Sequence, residues 1–340
     1  MNNSYLSQEF LDKYKDIHPP FGGNGLGEFV FIRTYSRFLQ EKKRREYWHE
    51  VVERVVNFSF SLYSGPKTQE ELHKEAEELY DAIFNFRVFV AGRTLWVGGT
   101  PVSYDYGESN FNCSFCVIDN FSAFHDVLIL LSLGAGVGFR TLKSDVEKLP
   151  QLNTNFTTKH TRYRPVRKSF RKDSTVLDQE DFNTFHIRIG DSREGWAKAI
   201  QLIFEILSNP ENLDNLDNQI NLIFNYNWVR PFGEPLKKFG GVASGPEATK
   251  KMIDKILSFI KSSNGKLTTI NCLDICNSIA EGIIAGSTRR SAEINLFDPD
   301  DKEIEGAKIN YYESFDLSHR AMSNNSIFFK EKPSWERFQE

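Results

Sequence analysis

Apolar residues at helical spacing mark the first part of the chain. After the charged run Glu41–Glu46, bulky apolar residues recur every three or four positions and predict a helix; they are Trp48, Val51, Val52, Val55 and Val56. Thr68 and Glu71 then form a capping-box pattern ahead of a second apolar face, which consists of Leu72, Ala76, Leu79 and Ile83. Residues 1–88 are therefore predicted to form a helical subdomain.

The pattern changes after Val88. Short apolar segments separated by Gly, Asn and Ser alternate with helical stretches at about 192–208, 246–262 and 268–285. Because this alternation is typical of α/β folds, residues 89–340 are predicted to form an α/β domain. The segment at about 149–185 is rich in Thr, Asn, His, Arg and Lys, and we interpret it as an excursion from the core of that domain, that is, a probable insertion. A solvated basic hairpin is its simplest structure.

The last residues predict the start of a helix. Pro333 and Ser334 precede the amphipathic run Trp335–Phe338, which ends within two turns, below the length at which a helix is stable on its own. We therefore expect the sequence to be a fragment of a longer protein.

Composition and charge narrow the function. A hydrophobic content of 40% supports a large core, and a net charge of −4 provides no basic field for non-specific nucleic-acid binding. No apolar stretch is long enough to span a bilayer, and no basic and apolar leader is present, so the protein is predicted to be cytoplasmic, with no membrane partner.

Four cysteines are too few for a disulfide framework in 340 residues, so they need a chemical or packing explanation. Cys113 and Cys116 form a C-x-x-C pattern, and Cys272 and Cys276 share a predicted helical face with isoleucines. Three interpretations remain open: a four-thiolate zinc site, a thioredoxin-like pair, or one redox thiol on a strand with the other cysteines in the core.

Three glycine-containing loops are candidates for contacts with phosphates. Gly134–Gly138 lacks the further glycine and the following helix of a dinucleotide fingerprint. Phe239–Glu247 opens a helix whose free amides favour an anion, although an ordinary capped helix start has the same pattern. Ala285–Ser291 contains two adjacent arginines that could grip a phosphate or stack on a base, or form surface salt bridges.

Several motifs in one order resemble those of class II ribonucleotide reductases that work as single chains and use adenosylcobalamin. The matching segments are Asn24–Glu28, Arg33–Arg37, Gly92–Trp96, Asn112-Cys113, Gly136–Gly138, Ile189–Trp196, Gly240–Pro246, Arg289–Ile294 and His319–Asn325. Such an ordered set is far more specific than any single motif. The resemblance implies a helical N-terminal subdomain followed by the first half of a ten-stranded α/β barrel, which is built from two five-stranded halves.

The resemblance also implies roles for individual residues. Cys113 would be the first of two redox cysteines that reduce the ribonucleotide after a thiyl radical removes its 3′ hydrogen. Asn112 would belong to the same catalytic site. Cys116 would be a structural residue that packs in the core. Thr94, Asn112 and Gly136 would contact the substrate, a ribonucleoside triphosphate. The residues expected to bind a deoxynucleotide effector are Asp119, Asn120, Gly286, Ser287, Thr288, Arg289 and Arg290. A thioredoxin-like reductant would complete the cycle.

The chain departs from the family pattern in one large respect. No Asn-Pro-Cys-x-Glu finger-loop motif and no cysteine beyond Cys276 occur, so the radical cysteine, the second redox cysteine and most of the adenosylcobalamin site are absent. A C-terminal half of the reductase is therefore the expected partner. The alternative is a catalytically silent nucleotide-binding subunit with a regulatory or assembly role.

Overall fold

The structure is a computed structural model that describes residues 4–214, 219–235, 242–285 and 292–339. The chain divides into two units, Met1–Asn112 and Cys113–Glu340, each with its own hydrophobic cluster. Among the described residues, no helix is both long and apolar enough to cross a membrane.

The first unit is helical, as predicted. Its helices are α1 Gln8–Asp12, α2 Leu26–Val30, α3 Trp48–Ser61, α4 Gln69–Phe84, α5 Gly92–Val97 and α6 Pro101–Asp105, and a short antiparallel pair joins β1 Phe38–Leu39 to β2 Arg44–Arg45. The predicted apolar face of α3 is buried against that of α4. The capping box at Thr68 and Glu71 is confirmed, because each side chain accepts from the other residue's backbone N–H.

The first unit extends to Asn112, beyond the predicted boundary at residue 88. Leu95 of α5 belongs to the same buried cluster as α3 and α4. The Arg54 guanidinium of α3 also donates to the carbonyl oxygens of Leu95, at 3.1 Å, and of Gly98. These contacts attach residues 89–112 to the helical core.

The second unit combines helices and strands, which confirms the predicted α/β class. Its strands are β3 Cys113–Val117, β4 Gly136–Arg140, β5 Phe156–His160, β6 Val176–Gln179, β7 Thr184–Arg188, β8 Ile220–Asn225, β9 Glu293–Phe297 and β10 Ser323–Ile327. Its helices are α7 Ser122–Ser132, α8 Lys143–Val146, α9 Arg193–Leu207, α10 Pro210–Asp214, α11 Glu247–Ser262, α12 Thr269–Ala285, α13 Lys302–Gly306 and α14 Trp335–Gln339. A 3₁₀ segment, Phe315–Met322, precedes β10.

One sheet of the second unit is fully parallel, with the order β10-β9-β4-β3. The described residues contribute four strands to it, one fewer than the five of the expected half-barrel. Gly136–Arg140 is a strand and not the start of a helix, which agrees with the sequence argument against a dinucleotide fingerprint. Because all four strands run the same way, their first residues lie along one edge of the sheet.

The second sheet has the order β5-β8-β7-β6, in which β5, β8 and β7 are parallel and β6 forms an antiparallel hairpin with β7. It lies in the chain between β4 and β9, so it interrupts the first sheet in sequence. The predicted excursion at 149–185 supplies β5, β6 and part of β7. The predicted basic hairpin is not found at residues 160–172, because β5, which ends there, pairs in parallel with β8. The antiparallel hairpin of β6 and β7 lies further along the chain.

Candidate active site

Cys113 is the first residue of β3, and its side chain is exposed. The parallel register places Gly136 of β4 directly beside it, and two residues further along it pairs Phe115 with Gly138. A Cβ atom added at Gly138 would lie 2.7 Å from the Phe115 ring, so a side chain there would displace that ring. The structure thus brings two of the predicted residues, Cys113 and Gly136, together at one edge of the sheet, with no side chain on the neighbouring strand to cover the thiol.

Cys116 cannot act with Cys113 as a C-x-x-C pair in this conformation. Residues three apart on a strand point to opposite faces of the sheet, and Cys116 is half-buried against the core. Burial, with a smaller effect of the Asp126 carboxylate, raises the pKa of the Cys116 thiol to about 11. Since the thiolate is the reactive form, Cys116 is poorly suited to redox chemistry at neutral pH.

The other two cysteines lie on α12 and have no exposed surface. Burial raises the pKa of both Cys272 and Cys276 far above the usual value for a thiol. Within the described ranges, no group of three or more His, Cys, Asp or Glu side chains is placed to hold a metal ion. The zinc interpretation therefore has no geometric basis there, and the cysteine stripe of α12 packs as small apolar residues do.

Asn112 and Thr94 belong to the first unit. Arg93 donates from Nε to Oδ1 of Asn112 at 3.1 Å, and its guanidinium lies 5.7 Å from the centre of the Trp96 ring. Partial burial lowers the pKa of Arg93. Because Oδ1 is taken by Arg93, the amide NH₂ of the exposed Asn112 is the group left to donate to a ligand. Thr94 is half-buried on α5, next to Arg93 in sequence.

Asp119 and Asn120 form a polar turn between β3 and α7. The Asn120 amide donates to Asp119 at 2.8 Å, and the Ser122 hydroxyl donates to Asn120. Lys148 Nζ lies 3.8 Å from Asp119 and 3.6 Å from Asp145, a carboxylate that also accepts from Arg140 at 2.7 Å. This turn lies at the carboxyl end of β3, the opposite edge of the sheet from Cys113. The other predicted effector residues, Gly286, Ser287, Thr288, Arg289 and Arg290, lie outside the described residues.

Two buried polar groups were not predicted from the sequence. Asp274 of α12 accepts from His319 at 2.9 Å and, with both oxygens, from Arg320 at 2.8 Å. Glu293, the first residue of β9, is only 5% exposed, and neither of its carboxylate oxygens has a hydrogen-bond partner among the described residues. Burial raises the pKa of Glu293 well above its usual value, against a smaller opposing effect of Lys308. Asp274 lies among the apolar residues of α12 and Glu293 within the family motif Arg289–Ile294, so no local pattern distinguishes either carboxylate.

Comparison with known proteins places these features in one family. Residues 6–100 match the family model described as the ribonucleotide reductase alpha domain, and residues 156–260 match the insertion domain of B12-dependent ribonucleotide reductase. The second range begins within the predicted excursion and continues beyond it.

Curated relatives carry a consistent name. Adenosylcobalamin-dependent ribonucleoside-triphosphate reductases of Lactobacillus leichmannii and Lactobacillus delbrueckii subsp. bulgaricus are 31% and 32% identical to the chain; each match covers 95% of the chain and 47% of the relative. A probable adenosylcobalamin-dependent ribonucleoside-triphosphate reductase of Dictyostelium discoideum is 30% identical over 95% of the chain and 42% of its own length.

A solved structure shows the same fold. The crystal structure of a B12-dependent (class II) ribonucleotide reductase superposes with a TM-score of 0.78 at 29% identity, covering 95% of the chain and 48% of the solved one. The chain thus spans about half the length of the relatives it matches. On these matches the chain belongs to the adenosylcobalamin-dependent, class II ribonucleotide reductase family and corresponds to the N-terminal half of its members.

Proposed function

We propose that this chain is the substrate- and effector-binding half of a ribonucleotide reductase that converts ribonucleoside triphosphates to 2′-deoxyribonucleoside triphosphates. The observation that carries the proposal is the exposed Cys113 at the start of a parallel strand, beside the bare backbone of Gly136. The named activity of the relatives, which match 95% of the chain, supplies the substrate class.

In this proposal Cys113 is one of two thiols that reduce the substrate. Closing a disulfide between two thiols releases two electrons and two protons. These replace the 2′ carbon–oxygen bond by a carbon–hydrogen bond, and the oxygen leaves as water. The Asn112 amide, the Thr94 hydroxyl and the Gly136 backbone contact the nucleotide, and a thioredoxin-like reductant reopens the disulfide. The second thiol and the radical cysteine come from a C-terminal half, because Cys116, Cys272 and Cys276 are packed in the core.

The family uses adenosylcobalamin, which when bound supplies the initiating radical by homolysis of its cobalt–carbon bond. Most of the residues that the family resemblance associates with this cofactor, including the Asn-Pro-Cys-x-Glu loop, do not occur in this sequence. We therefore assign no residue of this chain to the cofactor and propose that its site lies mainly in the partner half.

Complementation tests the proposed function. The 340-residue chain is assayed with adenosylcobalamin, a dithiol and each ribonucleoside triphosphate, with and without a co-expressed second half that carries an Asn-Pro-Cys-x-Glu loop. We expect deoxynucleotide formation only with both halves, because Cys113 is the one exposed thiol of this chain and the half-buried Cys116 faces the other side of the sheet. Reduction by the chain alone would contradict the proposal. Nucleotide binding without any reduction in the assembled pair would instead support a regulatory or assembly subunit.

Asp119 provides a test of the effector site. Coupling between allosteric sites is typically about 1–3 kcal/mol, so Asp119→Ala is expected to reduce effector-dependent substrate preference by roughly 5- to 150-fold in the assembled enzyme. Asp126→Ala removes an exposed carboxylate from the adjoining helix α7 and should leave the preference unchanged. The measurement is the ratio of turnover rates for two substrates with and without each deoxynucleotide. An unaltered ratio in Asp119→Ala would remove this residue from the effector site.

A further inference from the structure

A pocket lies at the carboxyl edge of the second sheet, away from the residues assigned above. Its volume is about 270 Å³, and its lining residues are Thr161, Val166, His186, Arg188, Asn225, Asn227 and Trp228. We call it the carboxyl-edge pocket. Arg188 and Asn225 are the last residues of β7 and β8, and Thr161 follows the last residue of β5. The crevice beyond the carboxyl ends of parallel strands is where open α/β sheets bind their ligands.

The polar groups of this pocket are predominantly hydrogen-bond donors. Oδ1 of Asn225 accepts from the backbone N–H of Asn227 at 2.9 Å, and Oδ1 of Asn227 accepts from the backbone N–H of Arg164 at 2.7 Å. Because both carbonyl oxygens are taken by N–H donors, each side chain presents its NH₂ group. The hydroxyl of Thr161 is buried and has no hydrogen-bond partner among the described residues. Together with the Arg188 guanidinium, these groups are arranged to bind an acceptor-rich anion.

The charge around the pocket favours the same class of ligand. The adjoining segment 160–172 contains six Lys or Arg residues and no Asp or Glu. Among them, Arg162, Arg164 and Arg167 form no ion pair within the described part of the chain, and Lys172 lies 5.2 Å from the centre of the Trp228 ring. The segment is held in place, since Thr161 donates to the Phe224 carbonyl and Val166 to the Asn227 carbonyl.

Carboxylates oppose part of this charge. Within the segment, Arg171 pairs with Glu234 at 2.7 Å, and two lining residues of the pocket are paired as well. Arg188 pairs with Asp178 at 2.9 Å, and His186 pairs with Glu180 at 2.6 Å. The side chains of Arg188 and Asp178 are each about half exposed, at 52% and 48%. An ion pair this exposed adds little net stability, so Arg188 can exchange Asp178 for a phosphate group, which its planar guanidinium binds with two hydrogen bonds.

The pocket is distinct from the turn at Asp119. Helix α9 begins just after β7, beside the carboxyl edge, and runs for about 22 Å. Near its far end, Phe204 stacks on Phe121, one residue from Asn120, with ring centres 4.6 Å apart. The two sites therefore lie at opposite ends of α9.

We propose that the carboxyl-edge pocket is a second anion site, which binds a phosphate group, either free or as the phosphate of a nucleotide. The volume is close to the lower end of the range for small-molecule pockets and fits one phosphate better than a whole nucleoside triphosphate. Trp228 and Val166 form an apolar wall on which a base can stack if the phosphate belongs to a nucleotide.

Calorimetric titration of the 340-residue chain tests the proposal, with inorganic phosphate, a 5′-deoxynucleoside monophosphate and the matching deoxynucleoside as ligands. Phosphate and the monophosphate are expected to bind saturably. The deoxynucleoside, which lacks a phosphate, is not expected to bind. If the monophosphate binds more tightly than inorganic phosphate, the ligand of the pocket is a nucleotide. If the two bind with equal affinity, the ligand is a free phosphate group. Absence of binding by both phosphates, or equal binding of the deoxynucleoside, would overturn the proposal.

Variants locate the binding. Arg188→Gln is expected to raise the Kd about 10- to 100-fold. Asn225→Asp keeps the acceptor for the Asn227 N–H but replaces the NH₂ donor by a carboxylate oxygen, and should abolish binding. Lys251→Gln, an equal charge change at an exposed site on α11, should alter the Kd less than about twofold. Ligand should also slow hydrogen exchange at residues 161–166. Equal affinities in all four proteins, or protection only near Asp119, would overturn the proposal.

Discussion

Replacement of Cys113 by serine is expected to abolish deoxynucleotide formation in the assembled enzyme. The hydroxyl of serine is nearly isosteric but cannot form a disulfide, so the second thiol has no partner and the two electrons cannot be delivered. The measurement is turnover with an external dithiol, with nucleotide affinity determined in parallel. Binding should persist, because Cys113 lies at the strand edge and carries no part of the core.

Cys116→Ser is the matched control, three residues further along the same strand. Its side chain faces the opposite side of the sheet from Cys113, and its pKa is raised by burial. Most of the turnover should therefore remain, with a modest loss of stability from placing a hydroxyl in a half-buried apolar site. If Cys116→Ser were as inactive as Cys113→Ser, the two thiols would have to act together, and the assignment of a single redox thiol to β3 would be wrong.

The largest effect on stability is expected for Asp274→Ala. Removing this carboxylate leaves the buried His319 and the largely buried Arg320 guanidinium without their shared acceptor, and breaking one side of a buried ion pair costs about 3–5 kcal/mol. The free energy of unfolding in urea provides the measurement. Asp300→Ala is the control, since its carboxylate pairs with Lys143 but is 77% exposed. That change should cost less than about 1 kcal/mol, and similar losses in both variants would contradict the argument.

The Asp274 contribution should also depend on pH. Burial acts to raise the pKa of Asp274, but hydrogen bonds from Arg320 and His319 outweigh it, so the pKa lies below the usual 3.8. A carboxyl group whose pKa is lowered by folding stabilises the protein above its unfolded pKa and loses that contribution as the pH falls through the folded value. The stability difference between the wild type and Asp274→Ala should therefore shrink as the pH falls below about 4. A difference that grew on acidification would contradict this sign.

The helices could be predicted from the sequence because their signals are local. The stripe of α3, the capping box of α4 and the cysteine-containing face of α12 all involve residues within a few turns of one another. The apolar faces of α3 and α12 are buried as the spacing indicates, and the capping box forms as predicted. The boundary at Asn112 could not be found in this way, because it rests on long-range contacts, such as those of Arg54 with the carbonyls of Leu95 and Gly98, about 40 residues away.

The sheets were harder to predict for the same reason. The pairing of β5 with β8 and of β4 with β9 joins segments that are distant in the chain. The apolar and polar pattern of a strand does not indicate which other strand it pairs with. The candidate thiol could be singled out because Asn112-Cys113 is a family motif. The union of Asp274 with His319 and Arg320, by contrast, spans some 45 residues and appears only in three dimensions. The donor character of the carboxyl-edge pocket likewise cannot be predicted from the sequence, because it depends on backbone N–H groups that occupy the side-chain oxygens of Asn225 and Asn227.

The position of the second sheet within the chain has a consequence during synthesis. Strand β4 pairs with β9, and residues 141–292 intervene between them. A ribosome adds about 5–20 residues per second, so β9 is completed on the order of 10–30 s after β4. Strand β3 precedes β4 and can pair with it at once, but the other edge of β4 then exposes unpaired N–H and C=O groups, which can pair with a second nascent chain. Slower translation lengthens that interval, so codon usage across the intervening segment should influence the yield of folded protein.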